Sequence, residues 1–238
     1  HVMANRLLAV LRKLFNWSVS RGIITASPCE GLSAPYREKA RDRVLSNDEL
    51  VAIINTAKQM GGAFGSIIRM LILTAQRRNE VSEMAWDELD LDNNQWEIPS
   101  SRTKNEKPHT VHLSEQAAAV VTEVKNIGPF VFTSNGKTPF SGFSKSKKRL
   151  DELSGVSEWR LHDIRRTVTS GMAQLGIQPH IADKILNHQS GTISGVAAVY
   201  QRHKFLKERK TALNAWGNYV QSLLDKTDRD NVVNIQDG

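Results

Sequence analysis

Apolar residues recur at helical spacing over most of the chain, and two short stretches alternate instead. "NRLLAVLRKLFNWSVSRG" puts Leu7, Leu11, Leu14 and Phe15 on one helical face, with Gly22 at its end. One helix cannot bury such a stripe alone. It predicts the close of a helical domain over residues 1–36, whose earlier part precedes this chain; "HVM" is set aside from the fold reading as an expression remnant. Pro28 and Pro35 interrupt regular structure, and a basic connector follows over 37–45. A second domain, 46–224, starts at "LSNDEL": Ser46 and Glu49 have capping-box spacing, and Leu45 with Leu50 suits a hydrophobic staple. "GSIIRMLILTA" is apolar almost all round and predicts a core helix. "QWEIP" and "HTVHL" alternate as strands, with the polar loop "SSRTKNEK" between them as a hairpin. Further helices are predicted from Ser114, from Ser141, over Leu161–Leu175, over Pro179–Leu186 and over His203–Leu224, with 225–238 as a flexible tail. The fold class is mainly α with a small antiparallel β-sheet.

Composition narrows the partners. Lys and Arg number 32 against 25 Asp and Glu, a net charge of +7, which favours a polyanion such as nucleic acid. The single cysteine, Cys29, excludes an internal disulfide framework and a Cys-rich zinc site. His109 and His112 have the look of a metal pair, but on a strand that spacing points them to opposite faces. No apolar run reaches membrane-spanning length and no secretory signal is visible, so a soluble cytoplasmic chain with no membrane partner is expected.

Candidate chemistry gathers beside the apolar stripes. In "RLHDIRRTVTS" the stripe runs through Leu161, Ile164, Val168, Met172 and Leu175, and His162 and Arg165 share the adjoining face. Arg77 and Glu80 repeat that spacing in "TAQRRNEV", where the carboxylate can orient the guanidinium. Lys104 sits on the hairpin tip, His188 ends the helix "ILNH", and Tyr200 precedes a basic stretch. Each has a bland rival: a packing tyrosine, a solvated loop lysine, a helix C-cap histidine favoured by the helix dipole. Arg78 and Arg166 compete with their neighbours. Arg37, Lys39 and Arg41 read equally well as a solvated linker or as a strap along a phosphate backbone. For Lys145, Lys147 and Lys148 phosphate contact is the preferred reading over a solvated face.

Five stretches in order, "LTAQRRNEV", "RTKNEKPHTVHL", "LHDIRR", "LNH" and "VYQRHKF", resemble the catalytic domain of the tyrosine recombinases, the phage-integrase superfamily. The wording after Tyr200 is similar to integrases of prophages and genomic islands. Ala75 departs from the glycine usual before the first arginine, and the interval from His188 to Tyr200 is longer than in many relatives.

The resemblance implies a tyrosine recombinase catalytic-domain fold and a catalytic set of Arg77, Lys104, His162, Arg165, His188 and Tyr200, supported by Glu80. Tyr200 is the nucleophile, Arg77 and Arg165 the phosphate clamp, and Lys104 the general acid, with Lys107 next in line. His162 is a proton acceptor or phosphate donor, and His188 a further phosphate donor. Arg202 beside the nucleophile is a candidate DNA contact. Such chemistry uses no metal, ATP or other cofactor. The resemblance further implies double-stranded attachment sites as substrate and a homotetramer on DNA formed from free monomers. It also implies a DNA-bending host factor and an excisionase as accessory partners, and a place at the bacterial nucleoid. The rivals are a type IB topoisomerase-like relaxing enzyme and a catalytically silent DNA-binding regulator on the same fold.

Overall fold

A computed structural model describes residues 2–37, 41–188 and 203–236, with side chains described to residue 227. The chain divides into two compact units, residues 1–42 and 43–238. The first carries α1 (Val2–Ser20), in which no residue is buried. Leu7 and Leu14 of the predicted stripe are exposed, and Leu11 and Phe15 partly so. Gly22, at φ 67°, ends the helix, and the Ile23 N–H closes back on the Ser18 carbonyl at 3.0 Å. The Asn5 amide then brackets the backbone of Tyr36, donating to its carbonyl at 2.7 Å and accepting its N–H at 3.1 Å.

The second unit begins at Arg43, ahead of the predicted Ser46. Arg43 pairs with Glu49, and the Leu45 N–H donates to the Thr167 hydroxyl at 2.9 Å, so these connector residues already belong to the packed body. The capping box is present on α2 (Asn47–Met60), and Leu45 and Leu50 are both buried. The core helix α3 (Gly62–Thr74) packs against α2 and, further along the chain, α5 (Glu115–Thr122), α7 (Leu161–Gln174) and α9 (Leu206–Gln236). Gly65 permits the close approach to α2: a Cβ there would lie 2.2 Å from the Ala57 carbonyl oxygen. Trp216 of α9 lies against Gly171 of α7 and donates its indole N–H to the Ile72 carbonyl at 2.8 Å.

Between α3 and α5 lie the short α4 (Arg78–Ser82) and an antiparallel sheet in the order β1 (Leu89–Asp90), β2 (Gln95–Ile98), β3 (His109–His112). The register sets Trp96 opposite Val111 and Ile98 opposite His109, so the predicted apolar faces are the buried ones. His109 is buried while His112 lies on the other, half-exposed face. The remaining helices are α6 (Phe143–Ser154) and α8 (Pro179–Ile185).

Two boundaries differ from the sequence reading. Leu175 falls past the end of α7 and is exposed rather than part of the stripe. Helix α9 runs on to Gln236, through the predicted tail, because residues 225–236 contain no proline or glycine to stop it. Among the described residues, no helix is long and apolar enough to cross a membrane.

Candidate active site

The site is assembled on the ends of three helices. Chain leaving α3 turns through Ala75, a left-handed residue at φ 56°, where the sequence departs from glycine, and enters α4 at Arg77. Glu80, buried in the first turn of α4, accepts the Arg77 backbone N–H at 2.8 Å and the guanidinium Nη1 at 2.8 Å. One carboxylate therefore fixes both where Arg77 leaves the backbone and where its fork points. The other nitrogen, Nη2, faces the Asn187 carbonyl at 3.4 Å.

Arg165 comes from α7 and is only 5% exposed. Its Nη1 donates to the Ala75 carbonyl; its Nη2 donates to the Leu186 carbonyl at 2.7 Å and to His188 Nε2 at 3.2 Å. These direct partners are neutral, so dipoles solvate the buried charge and the Glu80 carboxylate acts on it only from a distance. Burial, with Arg77 nearby, lowers its pKa to about 10, which still leaves it charged at neutral pH. An arginine can only donate, so His188 Nε2 carries the lone pair and its proton sits on Nδ1, which faces Asp183 at 3.6 Å. Burial and the Arg165 charge hold His188 below the ordinary histidine range. His162, on the outer side of α7, is shifted the same way by partial desolvation and by the charges of Arg165 and Arg166.

The structure thus brings Arg77, Glu80, Arg165 and His188 together around the end of α8, with His162 inside the same positive field. Lys104 is exposed on the turn leading into β3. The competitors of Arg77 and Arg165 for the clamp are occupied elsewhere: Arg78 lies over the Phe143 ring at 5.0 Å and Arg166 pairs with the buried Asp163 at 2.9 Å. Lys147, assigned by its sequence setting to phosphate contact, serves the fold. Its ammonium binds Asp151 at 2.6 Å and the Trp159 carbonyl at 3.1 Å, and lies 3.8 Å from the centre of the Trp159 ring. Lys145 and Lys148 are exposed on α6, as is Arg37 in the first unit, where Arg41 is half-buried. Lys39, Tyr200 and Arg202 lie outside the described residues.

Sequence reasoning missed the residues that hold the site from behind. The carbonyls of Ile185, Leu186 and Asn187, left open at the end of α8, are each taken by a distant side chain. Ile185 accepts from Gln76 at 2.9 Å and from His109 at 3.1 Å, Leu186 from Arg165, and Asn187 from Arg77. His109 is a buried neutral donor, its pKa lowered to about 3 by burial and by the charge of Arg209. Arg209 itself is buried and donates to the Thr110 carbonyl, tying the start of α9 to β3. The sole sequence signal for this layer is the run of polar residues at the ends of apolar elements.

Residues 43–207 match the phage integrase family. Among curated proteins, the prophage integrase IntA of Escherichia coli is 23% identical over 225 residues, covering 91% of this chain and 54% of its own length. The prophage integrase IntZ of Escherichia coli is also 23% identical, over 227 residues, covering 93% and 56%. The chain spans about half the length of these relatives. Among solved structures, a lambda integrase dimer bound to a core site superposes with a TM-score of 0.65 at 20% identity, covering 80% of this chain and 73% of that one. A lambda integrase tetramer bound to a Holliday junction gives 0.65 at 18%, covering 80% and 60%. By the match over most of its length, this chain belongs to the phage integrase family.

Proposed function

We propose that the chain is the catalytic part of a site-specific DNA recombinase that integrates or excises a prophage or genomic island. The observation that carries this reading is the convergence of two guanidiniums on one helix end, where Arg165 is buried and, among the described residues, pairs directly with no carboxylate. A phosphodiester is the anion that completes such a site. The Tyr200 oxygen attacks the phosphorus and forms a 3′-phosphotyrosyl ester while the bond to the 5′ oxygen breaks. Arg77 and Arg165 take up the charge that gathers on the non-bridging oxygens. The depressed pKa of His162 keeps its ring neutral and able to accept the phenolic proton. Lys104 supplies the proton that the leaving 5′ oxygen needs. When a phosphate oxygen takes the place of His188 Nε2 as acceptor of the Arg165 Nη2 proton, the His188 ring proton moves from Nδ1 to Nε2 and gives the phosphate a further donor. No metal or ATP enters the scheme, because the ester stores the energy of the broken bond for rejoining.

The substrate on this reading is a double-stranded attachment site, with strand exchange through a Holliday junction in a homotetramer that assembles from monomers on DNA. The tetramer draws support from the solved relatives bound to core sites and to a junction. A DNA-bending host factor, an excisionase and a nucleoid location rest on the family resemblance alone. The further DNA contacts are Arg37, Lys39, Arg41, Lys145, Lys148 and Arg202. Tyr200→Phe removes only the phenolic oxygen, so it should abolish the covalent adduct on nicked duplex DNA and leave binding nearly intact. An adduct that survives in the Phe variant, or maps by mass spectrometry to another residue, would falsify the nucleophile assignment. A duplex bound but never cleaved by the parent chain would favour the silent regulator, and plasmid relaxation without two-site exchange the topoisomerase.

A further inference from the structure

The end of α8 offers one more group besides its carbonyls. Asn187 lies in the left-handed region at φ 50°, where asparagine is tolerated and glycine would satisfy the backbone equally well. What asparagine adds is a side-chain amide. Its Oδ1 accepts from the Asn105 Nδ2 at 2.7 Å, and its Nδ2 returns toward the Asn105 Oδ1 at 3.5 Å. Asn105 is the immediate neighbour of Lys104, and Asn187 that of His188.

The turn that carries Lys104 is closed within itself. The Thr103 hydroxyl accepts the Lys107 N–H at 3.1 Å and donates to the Lys107 carbonyl at 2.7 Å, and Glu106 takes a left-handed φ of 55°. Residues 103–107 therefore move as one piece. At its base the Thr103 hydroxyl also reaches the Ser100 carbonyl at 3.2 Å, and the hydrogen bonds that tie the turn to the distant end of α8 run through Asn105 to Asn187.

We infer that Asn105 and Asn187 are positioning residues, an amide latch that seats the Lys104 turn against the helix end holding the arginine clamp. This rests on the reading of Lys104 as general acid. The latch sets how often the ammonium lies within reach of the leaving 5′ oxygen, and leaves the clamp itself alone. A single neutral hydrogen bond shifts such a seating equilibrium by about three- to tenfold.

Asn187→Gly keeps the backbone conformation and the carbonyl that faces Arg77, and removes only the amide. The test uses the full chain and a nicked duplex recovered by covalent capture from a randomised pool, made with either oxygen or sulfur at the bridging 5′ position. A thiolate leaves without a proton. Asn187→Gly and Asn105→Ala should each slow cleavage of the oxygen substrate about three- to tenfold, and the double variant should be no slower than either. All three should cleave the sulfur substrate at the parent rate. Without DNA, amide exchange over residues 103–108 should rise in Asn187→Gly while α3 stays protected. Equal slowing on oxygen and sulfur, or unchanged cleavage with unchanged exchange, would overturn the latch. Lys104→Ala run in parallel separates the two ideas. If sulfur fails to restore Lys104→Ala, the acid assignment falls. If sulfur restores it and Asn187→Gly shows no oxygen–sulfur split, only the latch does.

Discussion

Arg165 lies in the body of the second unit, 5% exposed, with its two terminal nitrogens spread over the Ala75 and Leu186 carbonyls and the His188 ring. Lys104 stands exposed on a five-residue turn, 103–107, with one amide pair between its neighbour and α8. The two sides of the site answer to different demands. Charge that develops on a phosphate is best met by donors already in place, because reorientation during the reaction would cost what stabilisation provides. A proton donor must meet an oxygen that arrives with the substrate and leaves with the product, and a surface turn accommodates that. Folding energy is accordingly invested on the arginine side.

The largest effect should come from the lysine side. Lys104→Ala is expected to slow cleavage on the order of 10²–10⁴-fold, the usual contribution of a general acid. Its stability should stay within about 0.5 kcal/mol of the parent, because an exposed ammonium holds nothing in the fold. Urea unfolding together with single-turnover cleavage measures both. A loss of stability that tracks the loss of rate would mean that the lysine is part of the scaffold and would dissolve the comparison.

Arg165→Ala should lose about 10²–10³-fold in cleavage and also about 1–3 kcal/mol in stability. The substitution strands the Ala75 and Leu186 carbonyls and the His188 lone pair in a buried place. Part of that cost is offset because a buried charge goes too. Arg165→Lys restores charge but reaches only one of the partners, and should recover stability less than halfway. An alanine variant as stable as the parent would show that the guanidinium is held by the site without holding it.

How much of this was legible in the sequence follows the range of the interactions. The capping box of Ser46 and Glu49, the all-apolar α3 and the alternation of β2 and β3 are local patterns, and each appears where it was read. Arg77 with Glu80 was legible for the same reason, a spacing of three on a helix start. The layer behind the site was not. Gln76 meets Ile185 across 109 residues and His109 meets the same carbonyl across 76, and no periodicity encodes either. For Lys147 the pairing with Asp151, four residues on in α6, is local, whereas its contacts with the Trp159 carbonyl and ring lie beyond the end of α6, where no one-helix view reaches. Helix α9 runs past the Leu224 end read from the sequence to Gln236, and residues 225–236 hold no proline or glycine that would mark a stop.

The effect that is smallest at neutral pH concerns acid, and it separates the two sides without touching a catalytic group. His109 is buried behind the clamp, and its pKa is lowered to about 3 from the ordinary 6.5 by burial first and by Arg209 second. A depressed histidine means that the unfolded chain binds the proton more readily than the folded one. The stability it represents is therefore complete above about pH 6.5 and is lost progressively as pH falls toward 3. The limiting slope for one such group is about 1.4 kcal/mol per pH unit. His109→Gln keeps an amide N–H for the Ile185 carbonyl and removes the titration. Unfolding free energies of parent and variant should converge near pH 7.5 and separate between pH 6 and 4, the parent falling faster by up to that slope. Carboxylates titrate alike in both chains and cancel in the difference. Amide exchange should place the acid-induced opening in the 185–187 segment, where the Ile185 carbonyl loses its donor, before it reaches the Lys104 turn. Parallel pH curves for the two chains would mean that the imidazole already has access to water, and that the arginine side is less sealed than its burial implies.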